Sequence, residues 1–243
     1  MLRLYRNSRF FEKILSKQDI KQGGINAISS VEIPLSNIDS NQKLSFTIKL
    51  KSGYQNTWDI WVYIATESEI REGTIGNTLV VRDKSQYEKM LQSGRTVLYI
   101  PQQTDIRDNS AGGLFIPDFW NYLMFKEIFE NNGKEYSPGT LGILTDPSHG
   151  LFSSFPTDFH TNWQWWNIVK HSRPIILDDF PTGYKPIVQV IDNFARNHKL
   201  GLIYEIPNIQ GTALVCASDL FAIKDEPEAK ALFNSLINYL ENK

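Results

Sequence analysis

Apolar and polar residues alternate along the first quarter of the chain. Residues 28–35 (ISSVEIPL), 44–50 (LSFTIKL) and 58–64 (WDIWVYI) place apolar side chains at every second position over much of their length, which is the period of a strand with one buried face. The stretches between them, SNIDSNQ and KSGYQNT, are rich in turn formers. The pattern predicts an antiparallel meander over residues 1–66. Three or four strands cannot close a sandwich, because the apolar face of a lone sheet has nothing to pack on, so this segment is expected to be a partial β-sandwich.

Beyond residue 66 the rhythm becomes one of strands followed by helices. TLVVRD (78–83) leads into KSQYEKMLQSG, TVLYIP (96–101) into a long loop and DFWNYLMFKEIFENNG, and LGILTD (141–146) closes the series. Strands are further predicted at PIILDD (174–179), PIVQVID (186–192), LGLIYEI (200–206) and TALVCASDL (212–220), with a closing helix PEAKALFNSLINYLEN. Buried strands alternating with amphipathic helices point to a doubly wound parallel sheet. The fold class expected for residues 67–243 is therefore α/β, a flavodoxin-like three-layer domain, with the last two strands as an antiparallel hairpin on the sheet edge.

Composition narrows the functional classes. With 243 residues and 41% hydrophobic content the chain can bury real cores. Its 25 Lys+Arg balance 27 Asp+Glu without a run of either sign, so neither nucleic acid nor an anionic membrane is an expected partner. The opening MLRLYRNSRFFEKILSKQDIKQ breaks each apolar run after two residues, so neither a signal-peptide core nor a membrane span is expected in it. A single cysteine, Cys216, leaves no internal disulfide. It lies within ALVCASD and is expected in the core. No metal site and no cofactor are expected.

Two groups of residues could carry chemistry. In DFHTNWQWWNIVKHS (158–172), three tryptophans fall within four positions. On a helical wheel with Trp163 at zero, Ile168 lies at about 140°, Trp165 at about 200°, Val169 at about 240° and Trp166 at about 300°. This arc is wider than one sheet contact needs. Trp163 and Trp166 are expected in the buried stripe and Trp165 is expected to show. Trp165, Gln164, Asn162 and His160 are thus candidates for carbohydrate contact, since rings stack on pyranoses and amides bond hydroxyls. The second group is polar and follows predicted strands: Asp146 with His149, and Asp178 with Asp179. Carboxyl ends of parallel strands line ligand crevices, although such aspartates also cap turns. A serine hydrolase using Ser148, Ser153 or Ser154 would lack the Gly-x-Ser-x-Gly elbow.

Several stretches carry a family resemblance. IKQGGINAISSVEIPLS, YQNTWDIWVY, LGILTDPSHGLFSSFPTDFHTNWQWWNIVKHSRPIILDD and IVQVIDNFARNHKLGLIYE are similar to the C-terminal region of bacterial glycoside hydrolase family 2 proteins, the β-galactosidase-like group. The resemblance implies an immunoglobulin-like origin for residues 1–66 and a class I glutamine amidotransferase-like α/β domain after it. It also implies a parent that is often periplasmic or secreted. The family's paired glutamates on a barrel are absent: no Asn-Glu dipeptide occurs, and 243 residues do not hold both the β-segment and a barrel of roughly 250. Thr145 stands where an amidotransferase would carry its cysteine. The expectation is a non-catalytic accessory module. Its partners would be the catalytic and β-domains of a parent glycoside hydrolase, or a second copy in a homo-oligomer, and a glycan is a further candidate. The alternatives are a carbohydrate-binding module and a small independent α/β hydrolase.

Overall fold

A computed structural model of the chain describes residues 2–5, 9–66, 68–112, 122–134, 139–194, 196–206 and 210–243. They fall into two compact units, Met1–Ile64 and Ala65–Lys243.

The first unit is a four-stranded antiparallel sheet of β1 (Leu2–Tyr5), β2 (Arg9–Lys13), β3 (Gln42–Lys49) and β4 (Gln55–Val62), in the order β2-β1-β3-β4. Period-two alternation sorts β3 and β4 into two faces. On one, Leu44 lies opposite Ile60 and Phe46 opposite Trp58, with ring centroids 6.1 Å apart. On the other, Asp59 takes Ser45 Oγ at 2.9 Å and Lys43 Nζ at 2.9 Å, and the Thr47 and Thr57 hydroxyls meet at 2.9 Å. The apolar face is only partly covered, as Trp58 keeps 44% of its surface exposed. The strand predicted over 28–35 does not form. Ile28 and Val31 are three apart and Pro34 removes a donor, so the segment can neither hold one face nor complete a ladder.

The second unit carries a mixed sheet in the order β5-β6-β7-β12-β11-β10-β8, with β9 on β11. Its strands are β5 (Gly73–Ile75), β6 (Thr78–Val81), β7 (Thr96–Tyr99), β8 (Thr140–Thr145), β9 (Ile175–Ile176), β10 (Val188–Asp192), β11 (Lys199–Glu205) and β12 (Thr212–Cys216). Among the described residues, β6, β7 and β12 run parallel, while the other pairings are antiparallel. This overturns the flavodoxin-like three-layer expectation: the fold is sheet-rich. Besides β6, the parallel neighbour of β7 is β12, more than a hundred residues on, and the described strands between them pair antiparallel. The β11–β12 hairpin forms as expected but sits in the middle of the sheet, not on its edge. Gly211 permits this, because a Cβ there would run into the backbone of Gly94 and Arg95.

Helices α1 (Lys84–Leu91), α2 (Tyr122–Asn131), α3 (Trp166–Lys170) and α4 (Pro227–Glu241) accompany the sheet. Asp83 caps α1 by accepting Gln86 N at 2.7 Å, and Tyr87 stacks on Tyr99 of β7 at 4.0 Å. In α4, proline occupies the first turn and Ala229, Leu232, Phe233, Leu236 and Leu240 form the buried stripe. The β10–β11 connection is closed by the buried Asp192 carboxylate. It accepts both Arg196 Nε and Nη2, at 3.0 and 2.6 Å, and the backbone N–H groups of Asn193 and His198, at 2.9 Å each. Cys216 is wholly buried, and burial pushes its thiol up to about 12. No helix among the described residues is long and apolar enough to cross a membrane.

Candidate functional site

The tryptophan segment begins as a 3-10 turn, Trp163–Trp165, and continues as α3. Asn162 starts it: its Oδ1 accepts Gln164 N at 3.2 Å and its Nδ2 donates to Asp158 Oδ2 at 3.1 Å. Trp165 has 0% exposure. Its ring stands edge-on to Phe155 and Phe152, at 5.4 and 6.3 Å, and Nε1 donates to Thr157 Oγ1 at 2.8 Å. Ile168 and Val169 complete this inner stripe and Gln164 is buried beside it. Trp163 is 78% exposed and Trp166 50%.

The assignment made from the wheel is therefore inverted. Trp165, Ile168 and Val169 span about 100°, the width one core contact uses, and Trp163 lies on the far side. The two aliphatic residues flank Trp165, and that was the signal available in the sequence. The outer stripe is Trp163, Trp166, Asn167 and Lys170. Positions three apart are neighbours, with Cβ atoms about 5–6 Å apart, so the two exposed indoles share one face. Asn167 Nδ2 donates to Glu228 Oε1 at 2.7 Å, which places an amide and a carboxylate beside the rings. Of the four carbohydrate candidates, Trp165 and Gln164 are buried and Asn162 is used as a cap. His160 is exposed: its Nδ1 lies 2.8 Å from Thr161 O, and its ring is 4.7 Å from Phe159.

The strand-end residues do not converge. Asp146 follows Thr145, which pairs with Val188, whereas Asp178 Oδ1 accepts the N–H of Lys199, whose partner Ile191 lies opposite Gly142. Four steps along β8 separate these levels by about 13 Å. Asp146 accepts Ser148 N at 2.9 Å and Ser148 Oγ at 2.6 Å, and the hydroxyl's bond chiefly holds its carboxyl below the usual range. His149 Nδ1 accepts Leu151 N at 3.2 Å and its ring lies 5.3 Å from Tyr239. Asp178 Oδ2 receives His198 Nδ1 at 2.6 Å, which lowers its carboxyl, helped by Lys199 N. Asp179 is exposed in the turn after them. No group of three metal-ligating side chains assembles among the described residues.

The carboxyl ends of the strands that are parallel hold residues the sequence reading passed over. Arg82 follows β6, Gln103 follows β7 and Asp219 follows β12. Arg82 Nη2 donates to Asp219 Oδ1 at 2.8 Å, and its guanidinium carbon lies 4.5 Å from the Phe221 ring centre.

Two family models match. One, described as domain of unknown function (DUF8487), covers residues 79–243, and another, domain of unknown function (DUF8488), covers residues 3–64. The chain belongs to the DUF8487 family. Within the DUF8487 match lie the tryptophan turn, the strand-end Asp146, Asp178 and Asp179, and the Arg82–Asp219 pair. No curated protein matches the chain.

Proposed function

We propose that the chain is a non-catalytic accessory module of a glycan-degrading protein of the family 2 glycoside hydrolase type, and that it touches neutral carbohydrate through Trp163 and Trp166. The observation that carries this reading is the outward pair of indoles, three residues apart and anchored by the fully buried Trp165 between them. Flat apolar rings stack on the C–H faces of pyranoses, while Asn167 and Glu228 beside them suit hydroxyl groups. The backbone between the rings is also anchored. Trp165 is locked by Phe152, Phe155 and Thr157, so the turn that carries the two indoles is ordered before binding. The wide separation of Asp146 from Asp178, each engaged by neighbouring groups, favours the accessory role over a hydrolase of its own.

The experiment is affinity electrophoresis of the purified chain through gels containing neutral β-linked polysaccharides, run beside an assay on aryl β-galactosides. Retardation without turnover is expected. Turnover above a buffer blank that is lost in Asp178→Asn or Asp146→Asn would defeat the accessory reading.

A further inference from the structure

The ends of β6, β7 and β12 meet a short ladder formed by residues 171–173 and 217–219. Ser172 pairs with Ser218, Arg173 N donates to Ala217 O at 3.0 Å and Asp219 N donates to His171 O at 2.8 Å. The Ser172 and Ser218 hydroxyls both point toward α3, bonding Val169 O at 2.7 Å and Ile168 O at 2.6 Å. Alternation then sends Arg173 and Asp219 to the other side, where Asp219 holds Arg82 and where Gln103 Nε2 reaches His171 O at 3.5 Å.

Among the described residues, two guanidinium groups on this side have donors without an acceptor. Arg82 Nε is buried without an acceptor among the described residues. Arg173 donates from Nε to Ser110 Oγ at 3.0 Å and from Nη2 to Arg107 O at 3.5 Å, and among the described residues no carboxylate pairs with it. Its guanidinium lies across Gly112, where a Cβ would come within 2.8 Å of Nη1. Among the described residues, Arg173 is thus oriented by neutral oxygens and a bare α-carbon, with no counter-charge on its guanidinium. A planar fork so held suits a carboxylate, and the carboxyl ends of parallel strands are where such ligands lie.

We propose that Arg173, with the Arg82–Asp219 pair on the same side, is the recognition centre for a small carboxylate, either a free acid or the uronate of a sugar. This does not depend on the tryptophan platform. The test is calorimetric titration of the full chain at low salt with D-galacturonate, D-galactose and acetate. Galacturonate is expected to bind at least about tenfold more tightly than galactose, with acetate competing. Arg173→Gln should weaken galacturonate by about tenfold or more, and Arg173→Lys should restore only part of it. Gly112→Ala, which keeps the charge but displaces the fork, should also weaken it, and it carries the test should Arg173→Gln unfold. The double variant Trp163→Ala/Trp166→Ala should bind galacturonate normally. Equal binding of galactose, undiminished binding in Arg173→Gln and Gly112→Ala, or failure of acetate to compete at hundredfold excess would each overturn the proposal.

Discussion

Removing the Trp165 ring empties a space walled by Phe152 and Phe155 and takes away the N–H that Thr157 Oγ1 accepts. Trp165→Ala should therefore cost about 3–5 kcal/mol. Trp163→Ala and Trp166→Ala remove rings that face outward and should stay within about 1 kcal/mol of the parent. Urea midpoints of the three variants check this, and equal losses would mean that the outer rings are covered. Cys216 gives a second residue-scale prediction. Its thiol is buried and pushed up to about 12, so a thiol reagent at pH 8 should label the chain only as fast as it unfolds. At this scale the sequence was half legible. Cys216 in the core followed from its place in an apolar run, whereas the tryptophans were misassigned because the wheel was centred on Trp163 and not on the arc that Ile168 and Val169 form about Trp165.

Among the elements, the β10–β11 connection is where pH should act. Asp178 is held below its ordinary value first by the His198 side chain and then by Lys199 N. A depressed carboxyl lends stability above its unfolded value, about 3.9, and that stability is lost as pH falls through the lower folded value. Asp178 is partly exposed, so the contribution is under about 1 kcal/mol. Asp178→Asn should lower the melting midpoint at neutral pH and converge with the parent near pH 2. A constant difference at every pH would rule out the titration. At the β7–β12 seam, Gly211→Ala forces a Cβ into the Gly94–Arg95 backbone and should cost about 1–3 kcal/mol, with faster amide exchange at Thr96–Tyr99. Most strands after residue 66 could be read from short apolar runs between turn signals. Their neighbours could not, since a run such as TALVC looks the same beside a parallel or an antiparallel partner, and β9 shrank to Ile175–Ile176 where a six-residue strand was read.

For the whole molecule, the chain falls into two units, Met1–Ile64 and Ala65–Lys243. The overall architecture was misread because helices and strands in alternation suggested winding, while the chain between β7 and β12 returns antiparallel strands instead. That error moved the expected crevice to Asp146 and Asp178 and away from Arg82, Gln103 and Asp219. In the first unit, the part-exposed Trp58 and Ile60 predict that amides of β3 and β4 exchange faster than those of β7 and β12. Equal protection in the dilute chain would show that the apolar face is covered. That Trp163 and Trp166 form a glycan platform is tested most directly by titrating neutral β-linked oligosaccharides into the parent chain and into Trp163→Ala/Trp166→Ala at matched stability. On that reading, binding in the parent and a loss of at least about tenfold in the double variant are expected for lost aromatic stacking. Oligosaccharide binding that is unchanged when both rings are gone, or absent from the parent across the panel, would contradict it.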